Sequence, residues 1–251
     1  MTTVTRIDQI PAIDRHEAAT IAATEYQRFV DLLRTLGTDD WRKPTDCPEW
    51  DVRAMAGHTV GMMHDFTSLP NLMRRMRAGG KAAKAAGGPA IDQMTAGQVA
   101  DNAALSTSEL IARARETGPR AARWRTKAHP LFRKVPMKEE VGGQSETWRM
   151  SYLLDVILTR DPWMHRVDIS RATNRPLVLT PEHDGRIVAD VVAEWARRHR
   201  RPFRLDLTGP AGGSFVNADS GEEISLDAVE FCRVLSGRAA GTGLLTQEVP
   251  F

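Results

Sequence analysis

At 251 residues, with 41% apolar and 26% charged residues, the chain is long enough for one large domain or two modest ones with an ample core. Its 34 basic and 32 acidic residues leave a net charge of +2, which argues against a dedicated nucleic-acid or membrane-surface binder. Two cysteines, Cys47 and Cys232, with no CxxC spacing, exclude a disulfide framework and a zinc ribbon. No secretory h-region and no apolar run of membrane-spanning length is present, so a cytoplasmic protein is expected.

The spacing of Ile21, Phe29, Leu32, Leu33 and Leu36 predicts a helix over about 14–36, closed by Gly37. Residues 38–50, with Pro44 and Pro48, predict an ordered loop pinned by Trp41 and Trp50. Asp51 is the expected N-cap of a second helix that runs to about Leu69 and stops near Pro70. On that helix His58 falls at the edge of the apolar stripe of Val52, Met55, Ala56, Thr59 and Met63, while His64 points roughly 120° away.

Residues 71–90, rich in Arg, Lys, Gly and Ala, predict a mobile, solvated connection. A third helix is expected over 95–117, ending at Gly118-Pro119, and then an irregular stretch over 120–143. A fourth is expected from Gln144 or Ser145, carrying Trp148, Tyr152, Leu154 and Leu158 into the segment T-R-D-P-W-M-H-R-V-D, 159–168. Pro162 should either kink this helix or stand in the first turn of a new one.

Four such helices predict a four-helix bundle over residues 1–175. After Asn174-Arg175-Pro176 the texture changes. A helix over 181–199, short strands over 203–208, 214–217 and 223–225, and a last helix over 226–236 predict a small α+β domain over 176–251. The fold class is therefore mainly α.

Asp161 and His165 stand four apart and project from one face of their helix, within about 60° of the core residues Leu154 and Leu158. A carboxylate and an imidazole facing a core need a compensating partner. Together with His58 they form a two-histidine, one-carboxylate set, a combination used by zinc and other divalent ions with a position left open for water or substrate. Asp168, three residues beyond His165, and Asp65, two turns beyond His58, are placed to support the ligands. A hydrogen-bonded helix-face pair is the alternative reading of D-x3-H. Cys47, followed by Pro48 among Trp41 and Trp50, reads as a packing residue rather than a nucleophile. The basic run 197–204 reads as a solvated helix end favoured by the macrodipole.

The segments P-T-D-C-P-E-W-D-V-R-A-M-A-G-H, 44–58, and T-R-D-P-W-M-H-R-V-D-I-S-R-A-T, 159–173, resemble the mycothiol-dependent maleylpyruvate isomerase family. The tail, L-D-L-T-G-P-A-G-G-S-F through L-D-A-V-E-F-C-R-V-L-S-G-R, is similar to the C-terminal domain that often follows its DinB-like bundle. The resemblance implies a divalent metal, commonly zinc, held by a histidine on the second helix and an E-x3-H pair on the last, positions matched here by His58, Asp161 and His165. Asp161 stands where that motif has Glu. It also implies mycothiol as thiol cofactor, its thiolate adding to a small electrophilic substrate in an isomerase or S-transferase reaction. A monomer or homodimer, with no nucleic-acid or membrane partner, completes the expectation. A non-catalytic DinB-like protein that senses a metal or ligand is the alternative.

Overall fold

A computed structural model of the chain describes residues 4–251. Two compact units make it up, one containing residues 15–133 and 161–177, the other the described residues up to Asp14 together with 134–160 and 178–251.

The first unit is helical. Its α1 (Arg15–Leu33) and α2 (Val52–Asp65) follow the predicted periodicity. Asp51 caps α2, its Oδ1 accepting from the Ala54 amide at 2.7 Å. Residues 71–90, expected to be a mobile connection, instead contribute α3 (Leu69–Ala86) and the start of α4 (Ala90–Asn102). Pro70 opens a helix rather than closing one. With Ser68 as N-cap, proline occupies the first turn, where its missing donor costs nothing. The Arg, Lys, Ala and Met that follow are strong helix formers, and Gly87, at φ +78°, ends the run.

The helix expected over 95–117 is two helices, because Ser106 and Glu109 form a capping box that starts α5 (Thr107–Lys127). Pro119 does not end α5. Ala121, Ala122 and Arg125 beyond it are buried, and that packing outweighs the lost backbone bond. Against α1, Gly118 permits a close approach: a Cβ there would stand 3.0 Å from that of Tyr26. The Tyr26 hydroxyl accepts from Arg125 at 2.8 Å and faces Met62 Sδ at 3.8 Å, so a buried cation joins α1, α2 and α5. The short α6 (Pro130–Arg133) follows.

On the other side of α2, Gly61 lets α4 in so closely that a Cβ would lie 2.6 Å from that of Gln98. Asn102 of α4 donates to the Gly57 carbonyl at 2.8 Å. The buried Asp65 accepts from Arg75 of α3 at 2.8 Å and Gln98 of α4 at 2.9 Å, and Arg75 also pairs with Asp101.

In the second unit, β1 (Val4–Arg6) is an edge of a four-stranded sheet completed by β4 (Phe203–Thr208), β5 (Gly213–Val216) and β6 (Glu222–Asp227), in the order β1-β5-β4-β6. Phe203, Leu205 and Leu207 alternate inward along β4, the period-2 pattern of a half-buried strand. A separate antiparallel hairpin, β2 (Pro136–Val141) and β3 (Gln144–Arg149), occupies most of the stretch expected to be irregular and the start of the expected fourth helix. Gly142 and Gly143, both at positive φ, make its two-residue turn.

Helix resumes as α7 (Met150–Tyr152), widens into a π-helical segment over Leu153–Ile157, and continues as α8 (Leu158–Thr173). Pro162 lies within α8, so the departure from regular helix comes as a π-turn upstream of it. From Asp161 onward α8 belongs to the helical unit, where it is the fourth helix of the bundle with α1, α2 and α5. The helix α9 (Arg186–His199) buries Ile187, Val188, Val191, Val192 and Trp195, and α10 (Ala228–Leu235) meets it through Phe231 against Trp195. Fold and sequence agree on a mainly α chain, a bundle with a small α+β portion.

Candidate metal centre

Three side chains predicted from their spacing come together inside the helical unit. His58, on α2, and His165, on α8, are each about 5% exposed, and their rings meet edge-on with centroids 5.1 Å apart. Asp161, one turn before His165, lies between them. Its Oδ1 is 3.2 Å from His165 Nε2 and its Oδ2 is 3.7 Å from His58 Nε2, so each carboxylate oxygen addresses a different imidazole. The i, i+4 spacing on α8 explains the first distance; the second exists only because α2 lies against α8.

The chain holds these residues with local devices. The loop before α2 is closed by the bridge between Pro44 and Asp51, and by Thr45 Oγ1, which donates to the Trp50 carbonyl at 2.8 Å and accepts from the Cys47 amide at 3.1 Å. That closure turns the indole of Trp50 onto the site, 4.8 Å from the His58 ring and 5.9 Å from that of His165. On the far side of His165, the fully buried Asp168 places Oδ2 3.4 Å from Nδ1. The i, i+3 spacing on α8 accounts for that approach. Asp65 is engaged by Arg75 and Gln98, and His64 pairs loosely with Asp65 at 3.9 Å, away from the triad. Cys47, which sequence reasoning set aside as packing, sits with Sγ 4.0 Å from Asp168 Oδ2. No short-range signal reports that contact, since 121 positions separate the two residues.

Burial opposes charge on Asp161 and on His165, but each stabilises the other's charged form more. The Asp161 carboxyl is held well below the usual carboxylate range by the two histidines. The His165 imidazole is raised to about 9 by Asp161, with Asp168 adding to the effect.

The residues fit a divalent ion. Ligand atoms at about 2.0–2.2 Å from a tetrahedral ion stand roughly 3.3–3.6 Å apart, and each imidazole nitrogen lies at a similar distance from one carboxylate oxygen, 3.2 Å from Oδ1 for His165 and 3.7 Å from Oδ2 for His58. Asp161 Oδ2 and His58 Nδ1 are buried without a hydrogen-bond partner, an arrangement that costs energy unless something else satisfies the carboxylate. Ligand atoms of His58, Asp161 and His165 all lie within 4.8 Å of one another.

One consequence concerns pH. In metal-free protein His165 carries a pKa above its unfolded value, so its contribution to stability is complete below about 6.5 and is lost as pH rises through about 9. Asp161, depressed in the fold, contributes above about 3.9 and loses that contribution on acidification. A bound ion requires neutral imidazole, so its stabilisation should grow over the same interval of pH 6.5–9. Thermal melts of chelator-treated and zinc-loaded protein are expected to diverge as pH rises through that window.

In the other unit an open cavity of about 600 Å³ is lined by Glu146, Tyr152, Glu194, Arg197, Arg198 and Arg200. Its groups largely satisfy one another: Arg198 pairs with Glu146 at 2.6 Å and Glu194 at 2.8 Å, and the Tyr152 hydroxyl donates to Glu194 at 2.6 Å. Part of the basic run 197–204 is thus engaged internally.

Residues 22–170, a span that holds all three triad residues, match the model of the mycothiol maleylpyruvate isomerase N-terminal domain. The chain belongs to that family. Among solved structures it is similar to a mycothiol-dependent maleylpyruvate isomerase, at 16% identity and a TM-score of 0.56, with 98% of each chain covered. A histidine-to-alanine mutant of a mycothiol-dependent maleylpyruvate isomerase is also similar, at 16% identity, a TM-score of 0.53 and the same coverage. At that identity these likenesses establish the fold. A search of curated proteins finds no match. Among the described residues no helix is long and apolar enough to cross a membrane.

Proposed function

We propose that the protein is a cytoplasmic, divalent-metal-dependent isomerase that uses mycothiol as nucleophile on a small electrophile of the maleylpyruvate type, with S-transfer to related electrophiles as the nearest variant. The observation that carries this reading is the convergence of His58, Asp161 and His165 from two helices onto one point, with Asp161 Oδ2 buried and lacking a hydrogen-bond partner. Membership of the maleylpyruvate isomerase family supplies the substrate class and the thiol.

In this reading His58, Asp161 and His165 are the ligands of the ion, with zinc the best match to two imidazoles and a carboxylate. When bound, a divalent ion lowers the pKa of a coordinated thiol and keeps it nucleophilic near neutral pH. The chain's own residues do the rest. Asp168 fixes the tilt and tautomer of His165 through Nδ1. Trp50 covers the two imidazoles from one side and limits the approach of water there. Asp161, shorter than glutamate, reaches both histidines because it stands a single turn from His165 and faces α2 directly.

The experiment is metal analysis of purified wild type, His58→Ala and His165→Ala, with mycothiol-dependent cis–trans isomerisation of maleylpyruvate followed in parallel. Wild type is expected to hold stoichiometric zinc and to isomerise the substrate, and each variant to lose both properties. Metal retained in both variants would remove the ligand assignment. Metal and thiol binding without turnover on any electrophile would place the protein among ligand sensors instead.

A further inference from the structure

His165 is approached by ligand-type atoms from both of its nitrogens. On the Nε2 side stand Asp161 and His58. On the Nδ1 side stand Asp168 Oδ2, at 3.4 Å, and beyond it Cys47 Sγ, 4.0 Å from the same oxygen. Ligand atoms of Cys47, His165 and Asp168 lie within 4.8 Å of one another, as those of the first triad do.

We propose that the Nδ1 side is a second cation position, for a thiophilic divalent ion such as Zn²⁺ or Co²⁺, and that His165 bridges two ions. The donor set is one thiolate, one carboxylate and one ring nitrogen, a combination that selects zinc-like ions over magnesium or calcium. The elements that carry it are independent and fixed. Cys47 rides on the loop closed by the Pro44–Asp51 bridge and the Thr45 hydroxyl, while His165 and Asp168 share one face of α8. Asp168 is fully buried and Cys47 half-buried.

Loading is balanced by proton release. Binding of the second ion releases the Cys47 thiol proton and the remaining ring N–H proton of His165 to solvent, and the imidazolate so formed would bridge the two cations. The inference goes beyond the enzymatic reading and does not depend on turnover.

The test is titration of metal-free protein with Co²⁺, read by equivalents bound and by the sulfur-to-cobalt charge-transfer absorption in the near ultraviolet. Wild type is expected to bind two equivalents, with that absorption, and Cys47→Ser to bind one, without it. His58→Ala is expected to lose the first position and keep the thiolate absorption, which separates failure here from failure of the three-ligand site. A single equivalent in wild type, with or without the absorption, overturns the proposal. So do two equivalents that persist in Cys47→Ser. Cys47→Ala, read by circular dichroism beside the titration, guards against a folding defect of the serine variant.

Discussion

Asp161→Asn should weaken divalent-ion binding by more than the ~10–100-fold that loss of an outer-shell partner costs, and thiol-dependent turnover should fall with it. The substitution is nearly isosteric, so packing around Trp163 and Met164, both fully buried, is preserved. What it removes is charge. Asp161 is the group whose two oxygens address both imidazoles, at 3.2 and 3.7 Å, and an amide offers a poorer ligand atom. The same change has a signature in metal-free protein. Burial already opposes protonation of His165, and Asp161 is the largest influence holding its pKa up at about 9. In Asp161→Asn the pKa should therefore fall substantially, which titration of the imidazole signals by NMR would follow. A pKa that stays near 9 would shift the credit to Asp168 and weaken the central role given to Asp161.

The second large effect is on stability. Glu25 of α1 and Arg166 of α8 are both buried; Nε donates to Oε1 at 2.6 Å and the Nη2 atom to Oε2 at 3.1 Å, a two-pronged pair. Removing one partner of such a buried pair takes both of these charge-assisted bonds from the other, at a cost of about 3–5 kcal/mol. Glu25→Ala is therefore expected to lower the unfolding free energy by that amount, with a smaller loss in Glu25→Leu combined with Arg166→Leu, where neither charge remains. Urea denaturation of the two variants and wild type would measure it. Because Arg166 directly follows His165, the single variant should also loosen the ion site, whereas a double variant as unstable as the single would show that the pair's value lies elsewhere.

Some of this architecture was legible because it is written in short-range pattern. The cap at Asp51, the inward alternation of β4 and the i, i+4 pair on α8 all depend on neighbours within a few residues; the capping box of Ser106 and Glu109 is equally local, yet the helix expected over 95–117 runs across it. The segment over 71–90 was harder, because glycine-rich composition suggests mobility while Arg, Ala and Lys favour helix. What settles it is Arg75, which reaches Asp65, a contact between helices. That same contact engages Asp65, whose spacing from His58 suggested a supporting role. The hairpin over 136–149 left one readable trace, the Gly142-Gly143 turn, within a sequence whose Trp148 and Tyr152 also suit a helix.

By itself the sequence determined the elements that periodicity and capping control, and the one-turn geometry of Asp161 and His165, because both follow from the repeat of a single helix. It also carried the family, in the segments around His58 and His165. The tertiary structure decided what meets across the chain. It put His58 beside Asp161, Trp50 over both imidazoles, Cys47 beside Asp168, and β1 alongside β5 some two hundred residues away. Those contacts depend on how closely packed helices and strands can approach, as at Gly61 and Gly118, and no local repeat encodes that distance.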